Sequence, residues 1–117
     1  MKQISTETFE KEILEATTPC VVVFKNEGCH LCQGLDKVIP RVERRVGKGA
    51  NFYAVDSYEE KHLVNLLEID GVPTIFLFIN GDGREIPYPE NPNPFSGYSE
   101  EYLTTHLERA VANVRDH

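Results

Sequence analysis

Cys29-His30-Leu31-Cys32 holds the residues best equipped for chemistry, two thiols with two residues between them. A thiolate attacks disulfides and also binds soft metals. The pair therefore supports two readings, a redox dithiol or half of a metal site. If the pair opens a helix, free backbone N–H groups and the helix dipole favour a thiolate at the first position. One helical turn is about 3.6 residues, so the second cysteine comes back beside the first. In that arrangement Cys29 is the nucleophile and Cys32 the resolving thiol that displaces the mixed disulfide. A zinc site needs four ligands. The chain has no second Cys-x-x-Cys and no His pair, although Cys20, His30 or a distant His could complete a set, and an iron–sulfur cluster could be shared across a dimer.

The elements around the pair are readable from periodicity. Residues 5–16 form a helix capped by Ser5, with Phe9 and Ile13 four apart and Pro19 ending the segment. Cys20-Val21-Val22-Val23-Phe24 is a β-branched run, hence a buried strand, and Asn26-Glu27-Gly28 turns the chain out of it. A helix starts near Cys29. Leu31, Leu35, Val38, Ile39, Val42 and Val46 mark its apolar face, Pro40 should kink it, and Gly47 and Gly49 stop it. Phe52 to Val55 is a second strand and Glu59 to Leu67 a short helix. Gly71-Val72-Pro73 turns into a third strand, Thr74 to Ile79. Asn80 to Gly83 is a hairpin turn, and Arg84 to Pro87 returns as an edge strand. Residues 87–97 carry four prolines and read as an extended loop. Ser99 caps a last helix buried through Leu103, Leu107, Ala110, Val111 and Val114. The order α-β-α-β-α-β-β-α predicts an α/β fold, a mixed sheet of about four strands with helices on both faces.

Composition narrows the function. A chain of 117 residues supports a single domain, 1–117, and 40% apolar with 26% charged residues is ordinary for a globular protein. A net charge of −7 disfavours nucleic acid as a partner. The apolar runs reach about half of the roughly 20 residues a membrane span needs. Met1 to Ser5 lacks the apolar core of a secretory signal, so the expectation is a soluble, cytoplasmic protein with no membrane partner. Cys20 reads as a small buried hydrophobe in its strand, with pairing or glutathionylation as the reactive alternative. His62, His106 and His117 read as surface residues rather than ligands. Tyr88, Tyr98 and Tyr102 cluster around the Pro-rich loop and read as packing it onto the last helix, with a partner patch as the alternative.

The strand–Cys-x-x-Cys–helix arrangement together with Gly71-Val72-Pro73-Thr74 resembles the thioredoxin family over nearly the whole chain, from Ser5 to about Val114. The resemblance implies a thioredoxin-like fold, with Pro73 in a cis peptide opposite the cysteines and the Val72 backbone beside Cys29, where a substrate peptide could pair in strand fashion. Asp56 and Asn80-Gly81 fit the family as well, and Gly97 more loosely. The chain departs from the family pattern in several places. It has no Trp, Gly28 precedes Cys29, and Val23 stands where a buried strand acid relays protons to the resolving cysteine. Lys25 stands in place of a second tryptophan. His30 follows the first cysteine directly, where an imidazole would favour the Cys29 thiolate.

The resulting expectation is a thiol–disulfide oxidoreductase that reduces protein disulfides through Cys29 and Cys32, with Val72, Pro73 and His30 holding substrate. No metal or organic cofactor is called for. Its partners are disulfide-bearing proteins and a reductase donor, and it works as a monomer. Two alternatives stay open: a non-catalytic binding module on the same fold, and metal or iron–sulfur binding through the Cys-x-x-Cys.

Overall fold

The structure, a computed structural model, describes residues 1–115; His117 lies outside them. β1 (Lys2–Gln3) leads into α1 (Thr6–Phe9), which continues as a π-helical turn over Glu10–Leu14. Then follow β2 (Cys20–Lys25), α2 (His30–Val46), β3 (Asn51–Asp56), α3 (Lys61–Leu66), β4 (Thr74–Ile79), β5 (Asp82–Glu85) and α4 (Glu100–Arg115). The sheet order is β1-β3-β2-β4-β5. β1, β3 and β2 run parallel, and β4 is antiparallel to both β2 and β5.

The fold class agrees with expectation, but the sheet has five strands rather than about four. The extra one is β1. Two exposed residues give no alternation to read. Pairing of Lys2 with Tyr53 and Gln3 with Ala54 makes them a strand, so tertiary context overrides local pattern. The first helix is also shorter than residues 5–16. Ser5 caps it, its hydroxyl accepting from Thr8 N–H while the Thr8 hydroxyl accepts from Ser5 N–H. After Phe9 the helix widens, and Glu15 N–H donates to Glu10 carbonyl at 3.0 Å.

Alternation along β2 divides the core. Val21 and Val23 face Leu35, Ile39 and Val42 of α2 and Leu103 and Leu107 of α4. Cys20, Val22 and Phe24 face Phe9 and Ile13, together with Leu63 of α3. Each fully buried Leu, Ile, Val or Phe contributes roughly 1.5–3 kcal/mol, so this two-layer packing fixes where the end of β2 and the start of α2 sit. α2 runs unbroken through Pro40. Proline cannot donate to the carbonyl of Asp36. Both residues are exposed, so the missing bond faces water. Gly47 ends the helix with φ +66° and donates to Glu43 carbonyl, a positive-φ cap that glycine adopts without a Cβ clash.

Candidate functional site

Asn26, Glu27 and Gly28 bring the chain from the end of β2 to the start of α2, and Cys29 N–H donates back to Asn26 carbonyl at 3.4 Å. Cys29 is the N-cap, with extended backbone at φ −99°. Its sulfur takes the place that an N-cap side-chain oxygen ordinarily fills: Cys32 N–H donates to Cys29 Sγ at 3.1 Å. The expected helix start is therefore found, and the nucleophile candidate is the capping atom itself. That sulfur fills the acceptor's place at a helix start, where backbone N–H groups are otherwise without a partner.

Cys29 is half-buried and Cys32 buried, and both are free thiols, as is buried Cys20. Burial pushes the Cys32 thiol up to about 12. The hydrogen bond with Cys29 acts in the same direction, as do the charges of Cys29 and Asp36, while a backbone hydrogen bond at Asn26 opposes them. Cys32 therefore stays protonated at neutral pH while Cys29 meets solvent. Val23, where the resemblance leads one to expect an acid, is fully buried. Asp36, one turn further along α2, raises Cys32 through its charge as the least of these causes, and Lys25 at the end of β2 donates to its carboxylate at 2.6 Å.

The Val72–Pro73 peptide is cis, as the resemblance implied. The Cys29 thiol reaches the Val72 carbonyl at 3.7 Å. Thr74 hydroxyl donates to Gly71 carbonyl at 2.6 Å, which closes the turn. A hollow of about 260 Å³ opens beside this loop, lined by Leu31, Val72, Pro73, Thr74, Tyr88 and Tyr98. Cys29, Cys32, Val72 and Pro73 thus come together. His30 does not join the Val72–Pro73 side; Leu31 does. His30 lies on the opposite flank, in a groove between α2 and the Pro-rich loop. A helix rotates about 100° per residue, so neighbours at its first turn face different walls.

Cys20 is fully buried in β2, its thiol donating to Thr18 carbonyl at 3.3 Å. Among the described residues no group of three or more His, Cys, Asp or Glu side chains is arranged to hold a metal ion. Tyr98 is buried and packs edge-on against Tyr88 at 5.3 Å, and Tyr102 donates to Pro87 carbonyl at 2.6 Å, so these tyrosines anchor the loop on α4. The pairing of Lys25 with Asp36 was not legible beforehand, since the two residues belong to different elements. Phe95, Lys37 and Arg41, on the His30 flank, belong to no motif that marks them in the sequence. The four-residue spacing of Gln33, Lys37 and Arg41 was the available signal for a polar stripe along α2.

Comparison with known proteins places these features in context. The thioredoxin family model matches residues 1–96. A thioredoxin of Acetoanaerobium sticklandii is 31% identical over 81 residues, covering 69% of this chain and 77% of the relative. A thioredoxin of Rickettsia felis is 27% identical over 82 residues, covering 70% and 78%. Among solved structures, a crystal structure of chloroplastic thioredoxin z superposes with a TM-score of 0.79 at 20% identity, over 96% of this chain and 95% of that one.

Proposed function

The chain belongs to the thioredoxin family, and from that membership we propose that it reduces protein disulfides by dithiol–disulfide exchange through Cys29 and Cys32. The observation that carries this reading is the 3.1 Å bond from Cys32 N–H to a half-exposed Cys29 sulfur at the start of α2.

In the first step the Cys29 thiolate attacks one sulfur of the substrate disulfide. The S–S bond breaks and its electron pair leaves on the other substrate sulfur, which takes up a proton. Cys29 is now joined to the substrate. The Val72 carbonyl lies within reach of the sulfur, and an extended substrate backbone can pair along that edge. In the second step Cys32 gives up its proton and attacks Cys29 Sγ, and the second substrate sulfur leaves and is protonated. Two electrons and two protons pass to the substrate, and the protein is left with a Cys29–Cys32 disulfide. A reductase donor returns it to the dithiol. We place this cycle in a reducing cytoplasm, on a monomer, with no metal or organic cofactor in either step.

Insulin reduction with dithiothreitol tests the assignment. Wild type should accelerate precipitation of the insulin chains, and Cys29→Ser should fall to the rate of dithiothreitol alone. Cys32→Ser should accumulate a covalent complex with substrate that dithiothreitol releases. Equal rates for wild type and Cys29→Ser would remove the catalytic claim and leave a binding module.

A further inference from the structure

The groove on the His30 flank is about 590 Å³ in volume and includes His30, Gln33, Lys37, Arg41, Asn93 and Phe95 in its walls. Three observations give it a character of its own. First, His30, Gln33, Lys37 and Arg41 follow one another along α2 at spacings of three, four and four, so they form one stripe starting next to Cys29. At 1.5 Å rise per residue the stripe is about 16 Å long, the span of about five residues of extended chain.

Second, the opposite wall is a loop closed by its own hydrogen bonds. Asn93 and Gly97 exchange backbone hydrogen bonds at 2.8 and 2.7 Å, and Asn93 Oδ1 accepts from Phe95 N–H at 2.8 Å and from Ser96 N–H at 3.3 Å. The loop so closed is seated on the backbone of Gly34 and holds the Phe95 ring 75% exposed. The ring thus stands as an exposed apolar group directly across from the polar stripe of α2.

Third, the charge is inverted relative to the rest of the molecule. The chain has nineteen acids against twelve Lys and Arg, yet among the described residues no carboxylate lines this groove. Lys37 makes no ion pair among the described residues, and Arg41 only approaches Glu100, at 4.0 Å.

Resting on the dithiol–disulfide reading above, we propose that this groove docks an acidic stretch of about five residues that flanks the reactive disulfide of the protein substrate, with an apolar side chain in the stretch meeting Phe95. Lys37 and Arg41 attract the carboxylates while Cys29, at the head of the stripe, meets the disulfide. Such complementarity selects partners and speeds encounter more than it tightens binding, so the preference should weaken with salt.

Binding and turnover test this separately. A fluorescent, cysteine-free peptide of sequence Glu-Asp-Phe-Glu-Asp should bind wild type in an anisotropy titration at low salt. Binding should weaken at least tenfold in Lys37→Glu/Arg41→Glu and severalfold in Phe95→Ala. Two disulfide peptides, one flanked by this sequence and one by Gly-Ser, should differ in kcat/KM by about tenfold for wild type and not at all for the charge-reversed variant. Reduction of hydroxyethyl disulfide, too small to reach the groove, should be the same for both proteins. Failure of wild type to reduce any disulfide would sink the dithiol reading while the anisotropy result still decides the groove. Equal binding of the acidic peptide by wild type and the charge-reversed variant, or tighter binding of a short dT oligonucleotide than of the peptide, overturns the proposal.

Discussion

At the residue scale, in the proposed exchange a Cys32 thiol pushed up to about 12 would enter the second step still holding its proton, so that resolution would be gated by how easily Cys32 ionises. Burial is the main cause of that rise; the negative charge of Asp36 adds to it as the least of the causes, and Lys25 is paired with that charge at 2.6 Å. The pair is partly exposed and contributes little to stability; its effect is on the sulfur beside it. Removing the charge in Asp36→Asn lowers the Cys32 value, so the rise of the resolution rate with pH should move to lower pH. Removing the counter-charge in Lys25→Met leaves Asp36 uncompensated and should move it to higher pH. Stopped-flow decay of the Cys29–substrate mixed disulfide between pH 6 and 10 reads both shifts. Identical profiles for the two variants would mean that the ion pair only packs the end of β2 against α2.

At the element scale, the Pro-rich segment depends on one position in α2. A Cβ at Gly34 would collide with the carbonyl oxygen of Phe95 and lie 2.6 Å from its carbonyl carbon. That atom is backbone in a loop closed by its own hydrogen bonds, so it has little room to yield. Gly34→Ala should therefore cost about 1–3 kcal/mol by the overpacking route, measured by urea unfolding. It should also weaken the acidic-peptide titration, because Phe95 moves with the loop. A helix interior otherwise gains from Gly→Ala, so a stabilised variant would show that the loop is not seated there. This contact also marks the limit of what the sequence discloses. Cys29 at the start of α2, the turn before Pro73 and the parallel pairing of β2 with β3 were legible because each is written in local residue type and spacing. Contacts made across the fold were not. β1 exists only through its register with β3, the Lys25–Asp36 pair only because two elements meet, and Phe95 is an ordinary loop aromatic until Gly34 lets its loop close on α2. The flank on which His30 lies was hidden for the same reason. Spacing put it next to the nucleophile, but only the rotation of α2 decides which wall it faces.

At the scale of the whole molecule, the core holds acids of an unusual kind. Among the described residues no Asp or Glu is buried, and the buried groups able to lose a proton are the thiols of Cys20 and Cys32 and the phenol of Tyr98. Burial is the largest cause raising each of the three, and burying a charge costs more than burying its neutral form. The folded state therefore holds these protons to higher pH than the unfolded chain, whose cysteines titrate near 9.0 and tyrosine near 10.0. The associated stability is fully present below pH 9 and is lost as pH rises toward the folded values, about 12 for Cys32. Each group adds a slope of at most about 1.4 kcal/mol per pH unit while only its unfolded form has ionised. A net charge of −7 adds self-repulsion as lysines lose their protons in the same range. Thermal unfolding of the fully reduced protein, kept reduced by a phosphine, should show a midpoint that falls continuously from pH 9 to 11. Cys32→Ser should flatten that fall, and adding Cys20→Ala should flatten it further. A double variant as steep as wild type would assign alkaline lability to surface charge alone, and the buried thiols would then have no part in it.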